Sequence, residues 1–340
     1  MPEIYVDVGA RLEPGRANRF AMMNPRGVSY LIDDVDSGDR REHLRIIAAE
    51  LHCDTVMLIG RDATQLIDAA GAALELGLDV YLRPDPTDRP QRKMLRHLGV
   101  VAAAAEALRR EHPGRVTLLV GSEFSHTVPG IVPGPRSFLR LRLVIRFHRV
   151  LRRRMDRRLH KLLARAAAVA RAGFSGPITY SAAGWESVDW SPFDLVGVAL
   201  YRSARNQDTY RDRVRALVRD HEKPVIITEF GCGAFTGADR RGAGSFQIVD
   251  WFATPPRIRG DHPRDESVQA RYLTELIDLF DTEGVHGCFV FTFAMPGFAY
   301  SDDHAYDLDR AGFGLVAVRT DGSVERKQAF AAVADRYSPR

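Results

Sequence analysis

Two glutamates in this chain occupy positions where a carboxylate can do chemistry. The stretch Pro224-Val-Ile-Ile-Thr-Glu-Phe-Gly-Cys232 carries a buried-strand pattern straight into Glu229. A continuous apolar run bounded by Pro and Gly is the signature of a strand covered on both faces. A charge at the end of such a strand sits at the rim of a core, which is costly unless it has partners or work. Glu123 ends a second run of this kind, Val116–Val120 followed by Gly121-Ser-Glu-Phe-Ser-His126. Two carboxyls across a cleft are what glycoside hydrolysis requires. One donates a proton to the leaving oxygen, and the other attacks the anomeric carbon or activates water. For either glutamate alone, a loop cap or an arginine partner is the blander explanation, and this chain is rich in arginine.

The elements that must position the pair follow a regular alternation. Strands are expected at Val28–Ile32, Asp54–Ile59, Asp79–Leu82, Val116–Val120, Pro177–Ser181, Asp194–Tyr201, Val225–Phe230 and Gly287–Phe293. Helical periodicity separates them at Arg40–Leu51, Ala63–Leu76, Pro90–Glu111, Phe138–Ala172, Tyr210–Asp220 and Glu266–Glu283, with a last helix at Lys327–Tyr337. Eight strands alternating with helices are the order of a (β/α)8 TIM barrel, an α/β fold whose sites lie at the carboxyl ends of its strands. Glu123 would then end strand four and Glu229 strand seven, projecting from one face. A doubly wound sheet has the same alternation. However, no Gly-x-Gly-x-x-Gly follows the first strand and no Walker sequence follows any strand, so its nucleotide-binding versions lack support. The expectation is a single barrel domain over residues 27–340, an N-terminal extension over 1–26 with a short strand at Glu3–Val8, and a basic helix inserted after strand four.

Composition narrows the function classes. The 340 residues are 45% hydrophobic and 27% charged with a net charge of +4, ordinary values for a soluble globular chain. No apolar run approaches the ~20 residues of a membrane span. Neither a basic segment nor an apolar leader opens the sequence, which points to the cytoplasm. Three widely spaced cysteines make no disulfide framework. Eleven histidines include no His-x-His or His-Glu-x-x-His, so neither a metal nor another cofactor is expected.

Glu on strand four, Thr228-Glu-Phe-Gly231 on strand seven and Tyr201 in Gly197-Val-Ala-Leu-Tyr-Arg202 resemble the 4/7 superfamily of glycosidases, clan A. The tail segments Phe313-Gly-Leu-Val316 and Arg326-Lys-Gln-Ala-Phe330 are similar to that clan's ending. The resemblance implies a retaining mechanism with Glu123 as acid/base, Glu229 as nucleophile and Tyr201 hydrogen-bonded to Glu229. More closely, Leu51-His-Cys-Asp54, Trp185-Glu-Ser-Val-Asp-Trp190, Thr228-Glu-Phe-Gly-Cys-Gly233 and Phe289-Val-Phe-Thr-Phe293 resemble an actinobacterial barrel family labelled "abortive infection protein", a label that establishes no reaction. Two departures bear on substrate. Ser122 stands where the clan places an Asn that contacts the sugar 2-hydroxyl. Phe293 or Phe298 stands where strand eight often presents a Trp.

Other residues compete for roles. Trp185 and Glu186 follow strand five; Trp185 could stack on a sugar face, and Glu186 is the rival of Glu123. Asp33, Asp34, Arg61 and Arg83 end strands one to three and are available for substrate hydroxyls, for a substrate anion or for salt links within the rim. Cys232 has no His or Asn partner in a recognisable arrangement, so it reads as a packed residue. Asp302-Asp-His304 with Asp307 and Asp309 lacks calcium-loop spacing and reads as a solvated loop. Arg136–Arg158 holds ten arginines and one acid, Asp156. Its positive face suits an anionic ligand such as phosphate, a membrane surface or an acidic polymer, or it is solvated. The expected partner of the cleft is a carbohydrate or glycoside. The competing readings are a non-catalytic binding barrel, in phage defence or polyanion recognition, and the same acid/base pair acting on a non-sugar metabolite. The oligomeric state is left open.

Overall fold

The computed structural model describes residues 23–33 and 35–338. The expected strand at Glu3–Val8 and the candidate Asp34 lie outside the described residues. Eight parallel strands close into a barrel in the order β1-β10-β7-β6-β5-β4-β3-β2. They are β1 (Arg26–Leu31), β2 (Thr55–Gly60), β3 (Asp79–Pro84), β4 (Val116–Ser122), β5 (Ile178–Ala183), β6 (Val196–Ala199), β7 (Val225–Phe230) and β10 (Gly287–Val290). The short pair β8 (Val249–Asp250) and β9 (Arg257–Ile258) lies in the loop after β7, and the hairpin β11 (Val316–Val318)–β12 (Val324–Arg326) follows β10. The helices are α1 (Ser37–Ala49), α2 (Ala63–Glu75), α3 (Gln91–Glu111), the single turn α4 (Phe124–Thr127), α5 (Ser137–Gly173), α6 (Gln207–Arg219), α7 (Glu266–Thr282) and α8 (Gln328–Tyr337). The (β/α)8 expectation is met.

Strand alternation divides the core into two. Inside the barrel sit Met57, Ile59, Tyr81, Leu119, Leu195, Ile226 and Phe289, with Leu31 and Phe291 packed against them. Their sequence neighbours, such as Val56, Leu58, Val80, Leu82, Leu118 and Val120, face outward into the layer between sheet and helices. Each strand is therefore apolar on both faces, as a parallel sheet under helices demands.

Two interruptions of this alternation position the glutamates. On β7, Val198 of β6 pairs with Ile227, but the next residue, Ala199, pairs with Glu229. On the other edge, Cys288 pairs with Ile227 and Val290 with Phe230. Both ladders thus place one extra residue in β7, at Thr228. Ile226 faces the interior, Ile227 the helix layer, and Thr228 turns inward to meet Ser181 Oγ at 2.7 Å. Strict alternation would send Glu229 outward. The bulge turns it into the barrel mouth instead and returns Phe230 to the outer layer, edge-on against Phe280 of α7. On β4 the register with β5 shifts in the same sense: Leu119 pairs with Thr179, and Ser122 with Ser181. Gly121 falls in that gap with φ +148°, and a Cβ there would lie 2.2 Å from the ring of Phe124. Only glycine fits.

The strands also run further than their apolar runs. β3 extends to Pro84 and β5 to Ala183, carrying Arg83 and the small Ala182–Ala183 pair to the rim. β6 is shorter than expected. Asp194 leaves the strand to accept from the Ile178 N–H at 2.7 Å and to pair with Arg171. α5 spans 37 residues but breaks at Phe147, whose φ and ψ are −124° and 18°. Its C-terminal half buries Met155, Leu159, Leu162, Leu163, Ala166 and Ala170 at helical spacing, each large side chain contributing about 1.5–3 kcal/mol.

Candidate active site

Glu229 is gripped from two sides. Arg83, on the same inward-facing side of β3 as Tyr81, donates Nη1 to Glu229 Oε1. Tyr201, just past β6, donates its hydroxyl to Oε2 at 2.9 Å. The side chains of Glu229 and Arg83 are only 9% and 12% exposed, so the pair is shielded from solvent. Burial works against the Arg83 charge, but Glu229, with Asp85 and Glu123 beyond it, holds the guanidinium above its ordinary pKa. Burial first, and the two glutamates second, push the Tyr201 hydroxyl well above 10. Tyr201 therefore remains a donor at any working pH.

Glu123 ends β4 in a left-handed conformation, φ +46° and ψ +47°. A non-glycine residue there stores strain of order 1–3 kcal/mol, and such strain concentrates at functional sites. Three contacts impose the conformation. The Glu123 N–H donates to Ser181 O at 2.9 Å, and its carbonyl accepts from the N–H groups of His126 and Thr127 at 3.1 and 3.0 Å. Its side chain, 21% exposed, meets His126 Nε2 at 2.7 Å, and Ser137 Oγ holds the other ring nitrogen at 2.9 Å. Glu123 and Glu229 both stand at the carboxyl end of the parallel barrel, after β4 and at the end of β7.

The remaining candidates divide into wall and scaffold. Glu186 is not a free rival of Glu123. It accepts from the Ser125 N–H at 2.8 Å, the Ala183 N–H at 3.0 Å and the Tyr180 hydroxyl at 2.9 Å. Burial, opposed by the Ser125 bonds, raises its carboxyl above the ordinary range. Its oxygens are spent on holding the turn that carries Glu123. Trp185 donates Nε1 to Ser125 Oγ at 3.0 Å and packs beside His126, which places it in the wall behind Glu123. Asp33 and Arg61 form a rim link: Asp33 accepts from the Arg61 N–H at 2.7 Å, and the Arg61 side chain reaches Asp85 at 3.3 Å. Arg83 is committed to Glu229, so the alternative of a substrate-anion site at this residue is not what its geometry favours. Ser122 is buried beneath Glu123.

Phe293 does not reach the cleft. It is fully buried in the outer layer, edge-on to Tyr30 at 5.7 Å. The strand-eight aromatic at the mouth is Phe291, which joins the interior cluster and meets Phe313 at 5.9 Å; Phe313 in turn meets Tyr201 at 6.1 Å. Phe291, one residue past β10, still shares the inner face of Phe289, whereas Phe293, two residues further, packs in the outer layer. Phe298 packs at Gly312, and Trp251 meets Phe298 edge-on at 5.3 Å. Tyr201, Phe313 and Phe291 thus form one aromatic group, and Phe298 with Trp251 a separate pair. His126 was legible as Glu-x-x-His, which puts both side chains on one face of a turn.

Cys232 is buried, and burial pushes its thiol well above the ordinary value, as a packed residue requires. Asp307 and Asp309 are not solvated. They are buried against Arg264 at 3.1 and 2.9 Å, and Lys327 reaches Asp309 at 3.1 Å. Among the described residues no group of three His, Cys, Asp or Glu side chains is arranged to hold a metal, and no helix is long and apolar enough to cross a membrane.

Other barrels share this fold. A GH113 β-1,4-mannanase superposes with a TM-score of 0.63 at 15% identity, covering 94% of this chain and 99% of that one. A GH113 β-mannanase from Alicyclobacillus acidocaldarius, in complex with ManMIm, gives 0.61 at 16% identity over 94% and 98%. A β-glucuronidase from Ruminococcus gnavus gives 0.59 at 12% identity, with 92% of this chain matching 49% of that chain. No protein-family model matches the sequence, and no curated protein does.

Proposed function

We propose that this barrel is a retaining glycoside hydrolase or transglycosylase. The observation that carries the reading is the pairing of Glu229, turned into the mouth by a bulge and held by Arg83 and Tyr201, with Glu123, set at the end of β4 beside His126. Arg83 and Tyr201 bind both oxygens of Glu229 and hold the carboxyl group in place, as a nucleophile requires. In the first step a Glu229 oxygen bonds to the anomeric carbon while Glu123 passes its proton to the departing glycosidic oxygen. In the second step Glu123, now a carboxylate, takes a proton from water or from an acceptor sugar. That oxygen then displaces Glu229 from the anomeric carbon. The hydrogen bond to His126 Nε2 can run in either direction, so it serves Glu123 in both protonation states.

The named activities of the neighbours, β-mannanase and β-glucuronidase, favour a carbohydrate in the cleft, and half-buried Phe291 at the mouth offers a sugar ring an apolar face to rest on. The test is a panel of aryl glycosides against wild type, Glu229→Ala and Glu123→Ala. Glu229→Ala should be inactive throughout. Glu123→Ala should keep most activity only on glycosides whose leaving group needs no proton. Full activity in both variants on a hydrolysed glycoside overturns the assignment.

A further inference from the structure

The N-terminal half of α5 is amphipathic in an inverted sense. Up to the break at Phe147, its buried side chains are Arg140 and Val144, whereas Phe138 and Ile145 stand 56% and 57% exposed. Phe147 and Val150 follow at 45% and 83% exposed. Arg140 is the anchor. It is wholly buried, pairs with Asp88 at 2.5 Å and donates to the carbonyls of His126 and Thr127, fastening the helix to the turn behind Glu123. Of the ten arginines in Arg136–Arg158, Arg140 is buried and Arg158 half-buried, leaving eight exposed. The acid Asp156 is already paired with Arg152 at 3.7 Å. Arg142, Arg146, Arg149 and Arg153 therefore alternate with exposed Phe, Ile and Val on one surface.

We propose that this surface docks on an anionic phospholipid membrane. Apolar side chains among arginines gain from entering the headgroup–acyl boundary while the guanidinium groups bind lipid phosphates. Polyanion binding alone would leave Ile145 and Val150 without a use, because aliphatic side chains do not stack on bases. A second copy meeting this face about a twofold axis would oppose arginine to arginine. A partner that wraps a basic helix from all sides is blocked, since Arg140 and Val144 bolt one side to the barrel. A flat lipid surface needs only the side that is free. Docking would bring the membrane beside the mouth, because Ser137, the first residue of α5, touches His126, the partner of Glu123. The proposal does not depend on the glycosidase reading.

The test is co-sedimentation of the whole protein with vesicles of phosphatidylcholine alone and of phosphatidylcholine mixed with phosphatidylserine. Two exposed-site variants are compared, Arg146→Gln/Arg149→Gln and Ile145→Ser/Val150→Ser, each checked for an unchanged melting temperature. Binding is expected only to the phosphatidylserine vesicles, weakened about fivefold per arginine removed, and weakened also by the Ile145/Val150 variant with every arginine in place. Equal binding to both vesicle types, or none, overturns the proposal. So does indifference to the Ile145/Val150 change, or preferential binding to single-stranded RNA, either of which would mark a polyanion site instead.

Discussion

Removing the Tyr201 hydroxyl isolates one of the two grips on the proposed nucleophile. Tyr201→Phe deletes the 2.9 Å hydrogen bond to Glu229 Oε2 and keeps the ring against Phe313, while Arg83 still binds Oε1. The contact with Arg83 therefore persists. A hydrogen bond to a charged group contributes about 1.5–3 kcal/mol. At about 1.36 kcal/mol per tenfold, kcat/KM should fall by roughly one to two powers of ten. The melting temperature should move little, since Tyr201 lies at the partly open mouth. The assay is kcat/KM on any aryl glycoside the wild type hydrolyses, followed up to about pH 10. Because burial and Glu229 both raise the Tyr201 pKa, its ionisation should produce no alkaline loss of activity in that range. A change below twofold in kcat/KM would refute the claim that this hydroxyl holds the nucleophile.

Three other perturbations follow from the same geometry. Arg83→Met leaves Glu229 buried without its cation, which should cost about 3–5 kcal/mol in stability, read by denaturant unfolding, and abolish measurable turnover. Gly121→Ala forces a side chain into a left-handed position and into the Phe124 ring, so it should destabilise by more than about 1 kcal/mol and shift Glu123, lowering activity more than stability. Glu106, hydrogen-bonded by Arg109 and by the Ser175 N–H, has its pKa lowered to about 2. Its contribution is complete above the ordinary carboxylate range and is lost as pH falls toward about 2. Acid unfolding of Glu106→Gln should lack that part of the wild-type pH dependence.

The barrel was legible because parallel strands buried on both faces write themselves as apolar runs, and Val225–Phe230 and Val116–Val120 are such runs. Their ends were less so. The inward turn of Glu229 depends on an extra residue at Thr228 that only the ladders with β6 and β10 reveal. In the same way, Arg83 looks like any rim arginine in the sequence, and its partner lies 146 residues away. Phe293 departs from the expected face because β10 stops at Val290 and its alternation carries only as far as Phe291. Glu186 carried no local mark of its hydrogen bonds to α4, which form only once β4 and β5 lie side by side. The inverted face of α5 was hidden for a different reason. Leu, Val and Phe recur along it at helical spacing, and nothing local says that an arginine takes the buried position.

The most direct measurement is the mass of the protein and of its peptides after reaction with activated 2-fluoro glycosides, which slow turnover of a covalent glycosyl-enzyme. One added glycosyl group is expected, located on the peptide containing Glu229, absent in Glu229→Gln and retained in Glu123→Gln when the leaving group is activated. A glycoside that is turned over with inversion at the anomeric carbon and leaves no adduct, or an adduct on another carboxylate, would contradict it.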